Sequence, residues 1–274
     1  MLSFDRVLWK AYKLANKYLS RKASYVLVSA IELALPWRSA KPLVEATGTW
    51  DIGHALLSSP LYRPTTGLTP TTLCSTMSRH GSDKALYRHN YTLLYGPLLE
   101  TRQAMTTRLF ELGIGSIDPA LPANMGSAGT PGASLRGWRD YLPQAQIFAA
   151  DIDPAALLSE DRIQCYLCDQ TDPAAIARMW SNAPLAAPFD VIIDDGMHEF
   201  HANRCFMENA LHKLAPGGLF IVEDVKHSDL PEWAPFLQQQ FAEDGAFDWS
   251  IVKLRHPFNV FDNNVVIVRH RLAR

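Results

Sequence analysis

The chain has little of several things, and each shortage closes off a class of protein. Charge of one sign is missing: 26 Lys and Arg stand against 28 Asp and Glu in 274 residues, a net charge of −2. That balance makes no whole-protein electrostatic case for nucleic acid, and a small-molecule enzyme or a neutral binding module is the plainer expectation. Cysteines number 4, namely Cys74, Cys165, Cys168 and Cys205, and a chain of this size does not build a disulfide framework from so few. Cys165 and Cys168 match C-x-x-C, but they lie in a strand-like run with no second ligand pair. Residues three apart on a strand point to opposite faces, which favours a structural role over zinc or redox work. Long apolar runs are absent as well. The longest, near Tyr25 to Trp37, is interrupted by Ser29 and Glu32 and is too short to span a bilayer. Met1 to Lys22 lacks the apolar centre and cleavage site of a signal peptide, so a cytoplasmic protein is expected. Internal repeats and low-complexity segments are missing too.

What is present suits one large domain, or one domain with a helical preface. Apolar residues make up 47% and charged residues 20% of the chain, an ordinary globular composition. In residues 1 to 37, Phe4, Val7, Leu8, Ala11, Tyr12, Ala15 and Leu19 recur at helical spacing. Arg6, Lys10, Lys13, Lys17, Arg21 and Lys22 leave the other face basic. A solvated face on a helix packed against its own domain or a second subunit is favoured over contact with an anionic membrane surface. Residues 38 to 75 carry little periodicity, and the Pro- and Thr-rich stretch from Ser58 to Thr72 has the length of a lid or binding loop. His80 to Lys84, then Tyr87, His89, Tyr91, Thr92 and Tyr95, are dense in polar and aromatic side chains. Such a density suits a cleft wall that recognises a polar ring, and equally suits ordinary half-buried positions.

From residue 108 short apolar runs alternate with helix-length segments. The runs are Leu109 to Gly113, Ile147 to Asp151, Ile163 to Asp169, Val191 to Asp195 and Leu219 to Asp224, the signature of a parallel sheet covered on both faces. Trp249 to Leu254 and Asn264 to Val268 follow, separated by a segment too short for a crossover helix. The last pair is therefore antiparallel. Seven strands with the last reversed is the expected architecture.

The strand ends carry the chemistry. The first run ends Glu111-Leu112-Gly113-Ile114-Gly115, where glycine allows a tight turn and close approach of a ligand. The third glycine of the dinucleotide fingerprint is not at its spacing, so a nicotinamide cofactor is disfavoured. Asp151 ends the second run, where a carboxylate accepts the two hydroxyls of a ribose and repels a 2′-phosphate. Asp169 and Gln170 end the third, placed to meet an adenine. No Gly-Lys-Ser/Thr phosphate loop occurs. A nucleoside without phosphates, carrying a charged amino-acid tail, fits these ends, and S-adenosylmethionine is such a molecule. The fourth run ends Asp194-Asp195-Gly196-Met197-His198 and the fifth Glu223-Asp224. Four acids at two neighbouring edges repel one another without a cation between them, and carboxylate oxygens are what magnesium prefers. Capping of helices by the same acids is the plainer alternative. Glu223 and Asp224 are neighbours, and on a regular strand they face opposite ways.

These strand ends, with Pro131-Gly132-Ala133-Ser134-Leu135-Arg136-Gly137-Trp138, resemble the class I S-adenosylmethionine-dependent methyltransferases. More narrowly, they resemble metal-dependent sugar O-methyltransferases of macrolide pathways and relatives found beside polysaccharide genes. The similarity covers roughly residues 78 to 270. It implies an α/β, Rossmann-like, mostly parallel sheet of seven strands with helices on both faces. Residues 76 to 274 would form the methyltransferase domain, behind an N-terminal helical and loop extension over residues 1 to 75 serving as lid, oligomer contact or membrane-surface contact. Glu111, Gly113, Gly115, Ser134, Asp151, Asp169, Gln170 and Asp194 would line the donor. Asp195, Glu223 and Asp224 would hold magnesium, and His198, working with Asp195, would take the proton of a sugar hydroxyl. Tyr91, Tyr95 and His201 are placed on the acceptor side. The residues from Ser116 to Thr130, rich in Gly, Pro and Ala, depart from the resembled pattern beside the donor's tail. A small-molecule or glycan acceptor, a homo-oligomer and no nucleic acid complete the expectation. The competing readings are a metal-independent methyltransferase acting on a phenol or carboxylate, and a non-catalytic binding protein of the same fold.

Overall fold

The computed structural model describes residues 44–52, 71–85, 89–242, 245–254, 256, 259 and 261–272. The basic helix read over residues 1 to 37, the loop from Ser58 to Pro70 and Tyr87 lie outside them. A mixed sheet of nine strands runs through the described residues, in the order β1-β8-β9-β7-β6-β2-β3-β5-β4. Its centre is the parallel set β2 (Arg108–Leu112), β3 (Gln146–Asp151), β5 (Ile163–Leu167), β6 (Phe189–Asp194) and β7 (Leu214–Val222). The chain goes from β2 outward to β3 and β5, then returns to the other side of β2 for β6 and β7. The crevice over β2 is thus the topological switch point, where open α/β sheets take ligands. β9 (Asn264–His270) lies antiparallel between β7 and β8 (Phe247–Leu254).

Two strands go beyond the seven expected. β1 (Val44–Gly48) pairs antiparallel with β8, and the two-residue β4 (Ser159–Glu160) pairs antiparallel with β5. β1 comes from the stretch read as an aperiodic extension. Its residues after Val44 are exposed, so no alternation of apolar and polar positions marks it.

Alternation along the buried strands splits the core in two. Leu109, Ile147, Ala149, Val191, Ile193, Leu219 and Ile221 face one side, against α1 (Thr72–His80), α2 (Thr92–Leu99) and α3 (Ala133–Tyr141), with Trp138 and Tyr95 at the centre. Phe110, Phe148, Ile192, Phe220 and Val266 face the other side. There α4 (Pro173–Trp180), α5 (Phe200–Ala210) and α6 (Leu230–Gln240) bring Trp180, Phe206 and Trp233. The same period of two sorts the acids. Glu111, Asp195 and Glu223 continue the first face, while Asp194 continues the second.

All four cysteines are free. Burial pushes the Cys165 thiol up to about 11 and that of Cys168 to about 12, far from the thiolates that metal or redox work needs. No helix among the described residues is long and apolar enough to cross a membrane.

Candidate active site at the strand ends

The turn after β2 is tied to the neighbouring strand ends by backbone. Gly113 donates to the Ala150 carbonyl and Asp195 donates to the Leu112 carbonyl, both at 2.8 Å. Gly113 has φ 92°, and a Cβ there would lie 2.0 Å from the Asp195 carbonyl oxygen. Only glycine lets these two strand ends approach so closely. Asp151 accepts from the Ile114 amide at 2.7 Å and from the Asp153 amide at 2.9 Å, so its carboxylate holds the same turn in place. The segment after Gly115 folds back over it. Ser116 Oγ donates to Asp153 at 2.5 Å, and Met125 packs where a Cβ of Gly115 would stand.

Several residues expected to line the donor have other work. Glu111 is fully buried and accepts from Ser134 Oγ and Trp138 Nε1, each at 2.5 Å. Glu111 and Ser134 thus bind each other. Asp194 is fully buried on the opposite face. It accepts from Gln170 Nε2 at 3.0 Å and Asn203 Nδ2 at 3.0 Å, and burial pushes its pKa up to about 6. Gln170 Oε1 accepts from the Met197 amide at 2.6 Å, which pins the loop carrying His198. Gln170 and Asp194 thus brace the loop that carries His198. Asp169 is half-buried and accepts from the Thr171 amide and hydroxyl at 2.8 and 2.7 Å.

The remaining acids converge on the first face, around a residue that the sequence did not single out. Lys84 Nζ lies 2.5 Å from Asp195 Oδ2, 2.5 Å from Glu223 Oε2 and 3.6 Å from Glu111 Oε1. Burial favours the neutral amine, but Asp195, Glu111 and Glu223 outweigh it and hold the pKa well above the usual lysine range. Tyr95 donates its hydroxyl to Glu223 Oε1 at 2.6 Å, so both oxygens of Glu223 are taken. Tyr91 donates to Asp224 Oδ1 at 2.5 Å, and His89, stacked on Tyr91, approaches the same oxygen at 3.3 Å. Burial disfavours the His89 imidazolium, yet Asp224, Asp83 and Asp262 more than offset this and raise its pKa. Tyr91 and Tyr95, expected on the acceptor side, are buried supports of the acid cluster.

β7 ends at Val222, and Asp224 adopts φ 51°. That turn is how two adjacent acids serve one cluster while facing different partners. His198 has φ 59°. Left-handed backbone at two non-glycine residues is a strain that surrounding contacts must hold, and such residues gather at functional sites. Ligand atoms of Asp195, His198 and Asp224 all lie within 4.8 Å of one another, the one group of its kind among the described residues. Glu223, expected as a third metal ligand, is not in it. His198 Nε2 faces Asp224 Oδ2 at 3.7 Å, while its Nδ1 is buried without a hydrogen-bond partner. His201, expected near the acceptor, is exposed on the first turn of α5.

No family model matches the chain. Among curated proteins it is 34% identical over 154 residues to 8-demethyl-8-alpha-L-rhamnosyl tetracenomycin-C 2′-O-methyltransferase of Streptomyces olivaceus, covering 56% of this chain and 37% of that one. It is 33% identical over 154 residues to L-olivosyl-oleandolide 3-O-methyltransferase of Streptomyces antibioticus, with the same coverage of 56% and 37%. Among solved structures, MycE methyltransferase from the mycinamycin biosynthetic pathway, in complex with Mg and SAH, matches with a TM-score of 0.54 and 25% identity over 75% of this chain and 56% of that one. The chain has the class I methyltransferase fold and resembles sugar O-methyltransferases. It spans little more than a third of the length of these curated relatives, 37% in both.

Proposed function

We propose that the chain is an S-adenosylmethionine-dependent O-methyltransferase that acts on a sugar hydroxyl of a glycoside, polysaccharide or natural product. The observation that carries the reading is the meeting of Asp195, His198 and Asp224 within 4.8 Å beside a glycine turn at the switch point. The donor would lie over the ends of β2 and β3, against the turn from Gly113 to Gly115 and Asp151. Residues 76–274 carry this chemistry, and residues 1–75 contribute β1 to the sheet and the start of α1 to the core.

A sugar hydroxyl holds its proton too tightly to be a good nucleophile at neutral pH. Asp195 and Asp224 supply hard oxygen donors close enough to share one divalent ion, which suits magnesium. When bound there, such an ion lowers the pKa of a hydroxyl that meets it, as it does for water. His198 is the base. Asp224 Oδ2 lies 3.7 Å from its Nε2 and steadies the ring, while Nδ1 is enclosed by protein. Tyr91 and His89 fix Asp224, so the base stands on a buried support rather than on a mobile loop. The donor's sulfonium is already activated, and alignment of oxygen, methyl and sulfur supplies much of the remaining rate.

One observation favours a second reading. The Lys84 ammonium already offsets Asp195 and Glu223, which would suit a metal-independent enzyme methylating a phenol or a carboxylate. Two measurements test the first reading. Calorimetry with S-adenosylmethionine should give measurable heat, and mass spectrometry should find methylated product among deoxyhexosyl glycosides offered as acceptors. A folded sample that binds neither the donor nor its demethylated product would refute it.

A further inference from the structure

Lys84 has no task in the scheme above, yet it is the most enclosed cation of the cluster. Its side chain is 1% exposed, and it reaches from the loop after α1 across 111 residues to Asp195 and 139 to Glu223. Three carboxylates surround it, with oxygens at 2.5, 2.5 and 3.6 Å from Nζ. With Tyr95 on the other oxygen, Glu223 is saturated by protein groups, and Asp195 has one oxygen in the same grip.

We propose that Lys84 is a resident counter-cation that takes Glu223 out of the ligand set and competes with a divalent ion for Asp195. The inference rests on the metal reading of the same site and deepens it. The ammonium offsets the repulsion between Asp195, Glu223 and Glu111, so these acids are ordered before any ion arrives. An incoming ion then meets carboxylates already partly neutralised and a fixed like charge in the same cluster. Coulomb repulsion over such short distances, in a poorly solvated place, is large. Lys84 therefore sets how tightly the site holds metal, as a positioning residue acting through Asp195.

The test is a calorimetric titration of magnesium, repeated with manganese, into the full chain as wild type, Lys84→Met and the double variant Lys84→Met with Glu223→Gln. Melting is followed in parallel with and without the ion. Lys84→Met should bind the ion at least about tenfold more tightly, because a like charge leaves and Asp195 is freed. It should also melt earlier than wild type without metal and recover when metal is added. The double variant removes one charge of each sign and should bind no more weakly than wild type. A folded Lys84→Met protein with unchanged or weaker affinity would overturn the inference. If Lys84→Met does not fold, the double variant decides, and weaker binding there would make Glu223 a ligand and overturn it. Binding to wild type without tightening in a folded Lys84→Met protein sinks the inference alone. No binding to any of the three proteins sinks the metal reading, and the inference with it.

Discussion

Replacing Gly113 by alanine should do far more damage than the same change at Gly126. Two penalties combine there. The backbone sits at φ 92°, where an L-residue is strained by about 1–3 kcal/mol. The new Cβ would also stand 2.0 Å from the Asp195 carbonyl oxygen and 2.6 Å from its carbonyl carbon. These are backbone atoms, so no side chain can swing aside. Relief requires the end of β6 to move by an ångström or more from β2, against the bond from the Asp195 amide to the Leu112 carbonyl. Overpacking of this kind adds about 1–3 kcal/mol, giving about 2–6 kcal/mol in all. Gly126 provides the control, since its φ is 75° but nothing lies within 4 Å of a Cβ there. Gly126→Ala should show the conformational penalty alone. Urea denaturation of the two variants reads the difference directly. Equal stability of Gly113→Ala and Gly126→Ala would refute the close approach of the two strand ends.

Three further outcomes follow from the buried acids. Burial raises the Asp194 pKa from 3.8 in the unfolded chain to about 6 in the fold. The folded state then binds more protons between those values, so its contribution to stability falls as pH rises through that window, by about 3 kcal/mol. Asp194→Asn should remove this dependence, as denaturation at pH 4 and 7 would show, and an unchanged slope would place the titration elsewhere. Trp138→Phe takes one of two side-chain donors from the buried Glu111 carboxylate and should cost about 1.5–3 kcal/mol of stability. A variant of normal stability with weakened donor binding would return Glu111 to the donor site. His198→Ala should lower turnover by about 10²–10⁴ while leaving the calorimetric affinity for the donor nearly unchanged. A normal rate would remove it as base.

The strand ends were readable because a strand buried on both faces announces itself as an apolar run, and its last residue shows where chemistry can stand. The opposition of Asp194, the last residue of β6, and Asp195 just beyond it follows from the pleat, which turns one to α5 and the other to Lys84. The task of Asp194 did not follow, because a buried acid on Gln170 and Asn203 looks, in sequence, the same as one aimed at a ligand. Lys84 could not be found for another reason. Its hydrogen-bond partners Asp195 and Glu223 lie more than a hundred positions away, and nothing in His80 to Lys84 distinguishes a buried ammonium from a surface one. The adjacency of Glu223 and Asp224 was visible as a geometric problem. Its solution, a left-handed turn at Asp224, leaves no mark in the sequence because aspartate tolerates that conformation anywhere in a loop. The three candidate ligand atoms that the fold brings together are those of Asp195, Asp224 and His198. β1 escaped notice because an exposed edge strand has no buried face to write a pattern.

Methyl transfer in the presence and absence of divalent metal tests the central reading most directly. The protein is dialysed against EDTA, assayed with S-adenosylmethionine and a glycoside acceptor, and assayed again after magnesium is restored. Metal-assisted transfer at Asp195 and Asp224 predicts loss of product on dialysis and recovery on addition, with Asp224→Asn failing to recover. Product formation indifferent to both treatments would contradict it.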